Sequence, residues 1–295
     1  DARNGVLRIG GEDLSLYDRR IPRQALEGAL VGEELFFTQN NWGREAAFLG
    51  RLLDGVRLFE AGKRVVLPDT VNRENTQRIL RHDPAAGLLY RLRCGEADGD
   101  PSVLVVVDPA TGEAAGRVEL GRTATDLSWD EKKIYAAAFD DDRVDVVDKA
   151  SLAVASVQTA AQPLRLCRIG EQVWAVTHRG RTLERIAPPG PAVPIPFPGL
   201  PDNLFAWGNM PVVTVHAPDA LVIAQFNPVS GSFSTLWRER YPYGDTAFDS
   251  ANVSFFLRGQ FADALPVITR HVVDEAGRLY VSDFLSGRIF VIEEQ

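Results

Sequence analysis

The stretch Thr123–Gln162 reads TATDLSWDEKKIYAAAFDDDRVDVVDKASLAVASVQTAAQ. It holds four short apolar runs, separated by a polar turn, an acidic turn and a Lys-Ala-Ser turn. Strand-sized runs this closely spaced, with turn residues between them, predict antiparallel hairpins. The four strands of such a module are called a to d in chain order. Helical 3.6-residue periodicity is weak throughout. The best helix candidate, Arg44–Leu53, is short and reads more economically as a strand with its exit turn.

Outward from this stretch the same punctuation recurs. The a–b turn and the start of strand b are matched by Val31–Phe37, Pro84–Tyr90, Asp130–Tyr135, Ile169–Trp174, Trp207–Val212 and Asp274–Tyr280. Each is a turn containing Gly or Asp that leads into apolar and usually aromatic residues, which favour a pleated, half-buried surface. Strand c and its exit also repeat: Val105–Gly112 (VVVDPATG), Asp145–Ser151 (DVVDKAS) and Ala224–Gly231 (AQFNPVSG). Asp or Asn followed by Pro, Ser, Thr or Gly starts tight turns by hydrogen-bonding its own backbone.

Repeats of roughly 40–50 residues mark propellers or solenoids. The expected fold is therefore all-β, a six-bladed β-propeller forming a single domain over 1–295. Its blades fall near 20–62, 77–120, 123–160, 163–199, 200–239 and 265–295. The last repeat stops after strand c, and the orphan strand Val6–Ile9 is expected to supply its strand d and close the ring. A pair of β-sandwiches is the structural alternative.

Composition bounds the function. The chain has 295 residues, 45% of them hydrophobic, and a formal charge of −8. Lysine is confined to Lys63, Lys132, Lys133 and Lys149, so the basic clusters needed for nucleic acid or anionic membranes are missing. No apolar stretch approaches the roughly 20 residues of a membrane span. Cys94 and Cys167 form no disulfide framework and are expected as buried thiols. The chain starts at Asp1 and holds one methionine, Met210, which suggests a removed leader or a trimmed chain. An extracytoplasmic, bacterial origin is the expectation.

The repeats resemble those of the YVTN and NHL β-propeller families. Val105–Gly112, Asp126–Asp148 and Val273–Ile292 carry the resemblance, which covers Arg78–Arg185 and Leu265–Ile292. It implies a propeller and no single activity, because such repeats serve binding modules and enzymes alike. Val173–Ile186 also resembles, over one blade, the repeat of streptogramin lyases.

Aligning the blades places one polar residue at the same point of each strand a: Glu27, Arg81, Asp126, Arg165, Asn203 and His271. Two residues earlier the column is mostly apolar: Ala25, Ile79, Ala124, Pro163, Pro201 and Thr269. Innermost strands line a propeller's channel, so the polar column is either an ion-paired plug or a funnel for a ligand. At ~4 Å and an effective dielectric near 20, one such pair gains roughly 4 kcal/mol, much of which desolvation cancels. Too few carboxylates converge to assign calcium or zinc; if a hard divalent cation such as Ca²⁺ binds, Glu27, Asp126 and Asn203 are its oxygen donors, with the arginines opposing it. No further cofactor is expected.

A second ring comes from the b–c loops: Asn40, Glu96, Asp140, His178, His216 and Asp283. His178 and His216, on adjacent blades, could act as an acid–base pair or half a metal site, or simply close turns. The acidic runs Glu96–Asp100 and Asp140–Asp142 resemble calcium loops superficially and are read as solvated turns. Gly62–Gln77 and Arg240–Ala264 are long d–a connections. The second carries Tyr241, Tyr243, Phe255 and Phe256, too aromatic for a disordered linker and suited to a lid or partner surface.

The GxSxG, HExxH, Walker A, GxGxxG and CxxC patterns are missing. The expected function is a binding or scaffold protein that takes a protein or small-molecule ligand on the b–c/d–a loop face. The alternative is a metal-dependent hydrolase or lyase, similar in layout to lactonase-type propellers, with its site at the channel mouth.

Overall fold

The computed structural model describes residues 6–9, 12–15, 25–31, 34–39, 56–60, 63–66, 78–93, 99–111, 113–217, 219–240, 269–283 and 288–293. Apart from one 3-10 turn at Phe139–Asp141, the regular structure among them is antiparallel strand. The chain divides between Glu119 and Leu120 into two compact units.

In the first unit, β1 (Val6–Ile9) pairs with β2 (Glu12–Ser15). A four-stranded sheet follows: β3 (Ala25–Val31), β4 (Glu34–Gln39), β5 (Val56–Glu60) and β6 (Lys63–Val66). The next sheet is β7 (Arg78–Asp83), β8 (Leu88–Arg93), β9 (Pro101–Val107) and β10 (Ala114–Arg122), whose last residues run past the division. Two expectations change here. Val6–Ile9, read as the strand completing the last sheet, is bonded to Glu12–Ser15. Gly62–Gln77, read as a connection, begins with β6, the fourth strand of its sheet. Arg44–Leu53 lies outside the described residues.

The second unit holds three four-stranded sheets in chain order. The first is β11 (Ala124–Trp129), β12 (Lys133–Ala138), β13 (Arg143–Asp148) and β14 (Val154–Gln158). The second is β15 (Pro163–Ile169), β16 (Gln172–Thr177), β17 (Thr182–Ala187) and β18 (Ala192–Pro194). The third is β19 (Leu200–Trp207), β20 (Met210–His216), β21 (Ala220–Asn227) and β22 (Ser232–Arg240). The last sheet, β23 (Thr269–Val273), β24 (Leu279–Asp283) and β25 (Arg288–Ile292), has three strands among the described residues.

Turn chemistry repeats with the strands. Asp108, Asp148 and Asn227 each accept, through Oδ1, the amide two residues on, at 2.8, 3.1 and 2.9 Å, so the c–d exits are Asx turns. At the a–b turns, Asp83, Asp130 and Asp274 use Oδ1 for turn amides and Oδ2 for a tyrosine hydroxyl on strand b. The partners are Tyr90, Tyr135 and Tyr280, at 2.8, 2.7 and 3.1 Å. Burial and the neighbouring carboxylate push all three phenols above their usual range.

Burial falls from inside to outside. Strands b such as β12 and β16 are buried after their first residue, whereas β14 and β22 are largely exposed. Pleating sends alternate side chains to opposite faces, so each inner strand serves two layers. Leu166 packs back with Tyr135, Ala137 and Val144, while its neighbour Cys167 packs forward with Leu204, Val213 and Phe226. Leu204 and Phe205 repeat the division, Phe205 joining Trp207 and Ile223 against Leu279, Val281 and Phe290. Each such large apolar side chain gains about 1.5–3 kcal/mol on burial.

Candidate functional site

Four inner strands carry a β-bulge at the same point. Register shifts fall between Ala25 and Glu27, Ala124 and Leu127, Pro163 and Arg165, and Pro201 and Asn203. A bulge inserts an unpaired residue and re-aims the side chains beside it. It therefore sits where the polar column was counted, and it marks Asp202 as the extra residue before Asn203.

At the joint between β11 and β15, Asp126 and Arg165 are both buried, 5% exposed, and come together with Oδ1 and Nη1 at 3.9 Å. Each also holds the other strand's backbone. Asp126 Oδ2 accepts the Leu166 amide at 2.9 Å, and Arg165 Nη1 donates to the Thr125 carbonyl at 3.1 Å. The Thr125 hydroxyl donates to the Leu164 carbonyl at 2.8 Å. Burial pushes the Cys167 thiol up, with the Asp126 charge adding to it.

The joint between β19 and β23 is built differently. Asn203 Nδ2 donates to the Thr269 carbonyl at 3.3 Å and lies 3.5 Å from His271 Nδ1. The exposed His271 ring stacks on buried Phe205, centroids 4.0 Å apart. Asp202, fully buried, accepts the Thr269 amide at 2.9 Å, the Thr269 hydroxyl at 3.0 Å and the Thr214 hydroxyl. His216 Nε2 faces it at 3.5 Å. Burial alone would raise the Asp202 carboxyl. The facing imidazole and the bonds from Thr214 and Thr269 outweigh burial and hold it below the usual range.

His178 and His216 are both buried, and each has its own partner: His178 Nδ1 lies 2.8 Å from the Pro201 carbonyl, His216 faces Asp202. Asp140 is exposed and accepts the Thr123 hydroxyl. Its neighbours, read as a solvated turn, are also taken up by protein donors. Asp141 accepts Arg122 Nε at 2.6 Å, and Asp142 accepts the Gln162 amide at 2.8 Å. Asp283 is buried on β24, in register with Thr269. Arg81 is half-buried on β7 and donates to the Leu80 carbonyl at 3.0 Å. Glu27 is on β3 opposite Thr38, its side chain outside the described set. Asn40, Glu96, Tyr241, Tyr243, Phe255 and Phe256 lie outside the described residues, as does Cys94.

Among the described residues no three His, Cys, Asp or Glu side chains converge as metal ligands. Asp126 and Asn203, proposed from sequence to share a cation with Glu27, serve separate joints. Sequence counting passed over Asp202, Thr125 and Thr214, and placed Thr269 in the apolar column. The available signal was Asp202 itself, a charge beside the column residue in an otherwise apolar strand. Two further carboxylates also went unmarked. Asp145 and Glu184, at matching positions opposite Ala136 and Ala175, accept the incoming amides of Gly121 at 2.5 Å and Ala160 at 2.9 Å.

No family model and no curated protein matches the chain. Solved structures do. The extracellular domain of BT4673 from B. thetaiotaomicron aligns over 91% of this chain and 31% of its own, with 11% identity and a TM-score of 0.57. BamB from Moraxella catarrhalis aligns over 91% and 69%, with 12% identity and a TM-score of 0.53. BBS1N, solved in complex with ARL6DN, aligns over 88% and 74%, with 11% identity and a TM-score of 0.54. BamB and BBS1N are β-propeller proteins, and at these identities the similarity establishes the fold: this chain is of the β-propeller type.

Proposed function

We propose that the chain is a six-bladed propeller of the YVTN/NHL type. It acts outside the cytoplasm as a binding or scaffold module and takes a protein or small-molecule ligand on the b–c/d–a loop face. The observation that carries this is the use made of the inner-strand column. Asp126, Arg165 and Asn203 hold backbone groups of the neighbouring sheet, so these polar groups serve as structural cross-links. Chemistry at the channel would have to break the joints that order it. Two comparisons lend support: BBS1N was captured with a protein partner, and the BT4673 match is an extracellular domain. No helix among the described residues is long and apolar enough to cross a membrane.

The test is hydrolysis of a panel of lactones and esters, with and without added Ca²⁺ or Zn²⁺, by the wild type and by Asp126→Asn and Asn203→Ala. The expected result is no turnover, with lowered melting temperatures in both variants. Cation-dependent turnover that either substitution abolishes at unchanged melting temperature would replace the binding module with the lactonase-like hydrolase.

A further inference from the structure

We propose that the outer edge of the sheet β15–β18 is closed to strand addition by its prolines, which keep an uncharged segment of the chain from pairing with a second copy. Between Arg185 and Asp202 the sequence IAPPGPAVPIPFPGLP holds no charged or hydrogen-bonding side chain. Seven of the chain's 18 prolines fall in it. Stripped of those prolines, a run this apolar and this low in charge has the composition that assembles edge to edge.

β18 is the last strand of its sheet and pairs with β17. Successive residues of a strand turn their backbone groups to opposite edges. The Ile195 amide donates to the Arg181 carbonyl at 2.9 Å, so Ile195 faces β17. The Arg181 guanidinium works on the same side, donating to the Phe197 carbonyl at 2.7 Å. The outward places are therefore those of Pro194 and Pro196, and neither has an amide hydrogen to offer. Side chains alternate to match. Val193, Ile195 and Phe197 pack with the layer that includes Trp174 and Phe226, while Pro194, Pro196 and Pro198 are exposed.

The other two outer strands of the unit contain no proline and are guarded differently. β14 is five residues long. β22 bulges opposite Ile223 and Ala224 and ends in Arg238, Glu239 and Arg240. β18 carries no charge and pairs without a register shift, so the missing donors are its protection.

The experiment compares the wild type, Pro194→Thr/Pro196→Thr and Pro189→Thr by sedimentation velocity over a concentration series, with hydrogen exchange read by mass spectrometry at both ends of the series. Thr suits a strand and returns an amide donor to each outward place. The double variant should self-associate about tenfold or more tightly than the wild type, the scale of two added backbone bonds. Its amides over 192–197 should gain protection as concentration rises. Pro189→Thr removes an exposed turn proline, restores no edge donor and should match the wild type. Unchanged association in the double variant, a gain without protection over 192–197, or an equal gain in Pro189→Thr overturns the proposal. If the double variant does not fold, Pro196→Thr, beyond the paired span of β18, decides alone by the same two readouts.

Discussion

Two joints of the same unit fill equivalent places in the repeat with different chemistry. Between β11 and β15 a cation and an anion share the work, each also holding the other strand's backbone. Between β19 and β23 a single carboxylate is surrounded by neutral donors, an amide and two hydroxyls, with an imidazole facing it. The bulge is common to both. It fixes where a side chain can reach the next strand, and any group that bridges the gap satisfies the position. The column residue does this at Asp126, the bulged residue at Asp202. The repeat therefore conserves a task, and the residue type is free to drift.

The sharpest way to break the comparison is Asp202→Ala. It takes the shared acceptor from a buried amide and two hydroxyls, and urea unfolding should show a loss of about 3–5 kcal/mol, the range for breaking a buried polar network. Asp126→Ala leaves the Arg165 guanidinium beside the backbone carbonyl it already holds, so the loss should be smaller, about 2–3 kcal/mol. The joints should then diverge on repair. Asp126→Ala/Arg165→Met should recover the part of the single-variant loss that comes from an unpaired buried charge, though the Leu166 amide stays without its acceptor. Asp202→Ala/Thr269→Val should recover little, because the Thr269 amide is still stranded. Equal recovery at both joints would mean that the chemical difference carries no energetic weight.

Acid distinguishes Asp202 further. Its carboxyl titrates below its unfolded value, near 4, so its stabilisation is complete above that value and is lost as pH falls through the lower, folded one. Unfolding between about pH 2 and 5 should show an acid limb that flattens in Asp202→Asn. A wild-type slope in the variant would assign the limb to other carboxylates. The smallest effect is expected at the turns: Tyr135→Phe removes one bond to Asp130 and should cost about 1 kcal/mol by the same unfolding curves, with Tyr280→Phe costing less because its turn is exposed.

What could be read from sequence follows from where the interactions lie. The Asx turns at Asp108, Asp148 and Asn227 close within three residues, so their residue types announce them. Strand alternation is equally local, and four-stranded antiparallel modules follow from it. The bulges are not local. They show only when strand a is laid against strand b, and counting back along the chain from strand b gives the Asn203 column without Asp202. Thr269 lies 67 residues from Asp202, and nothing in its neighbours says that both of its polar backbone groups will be held by side chains. Histidines 178 and 216 looked like a pair because they share a repeat position. Their partners are set by the neighbouring strand, and they differ.

Asp145 and Glu184, which take the incoming amides of Gly121 and Ala160, have a mechanical consequence. Each ties the chain entering a sheet to that sheet's own third strand. Tension applied through the chain ends therefore loads these clasps one after another, as stitches along a seam. Pulling experiments on the second unit should release sheets in steps, each after its clasp parts, and Glu184→Gln should lower the force of one step while leaving the rest in place.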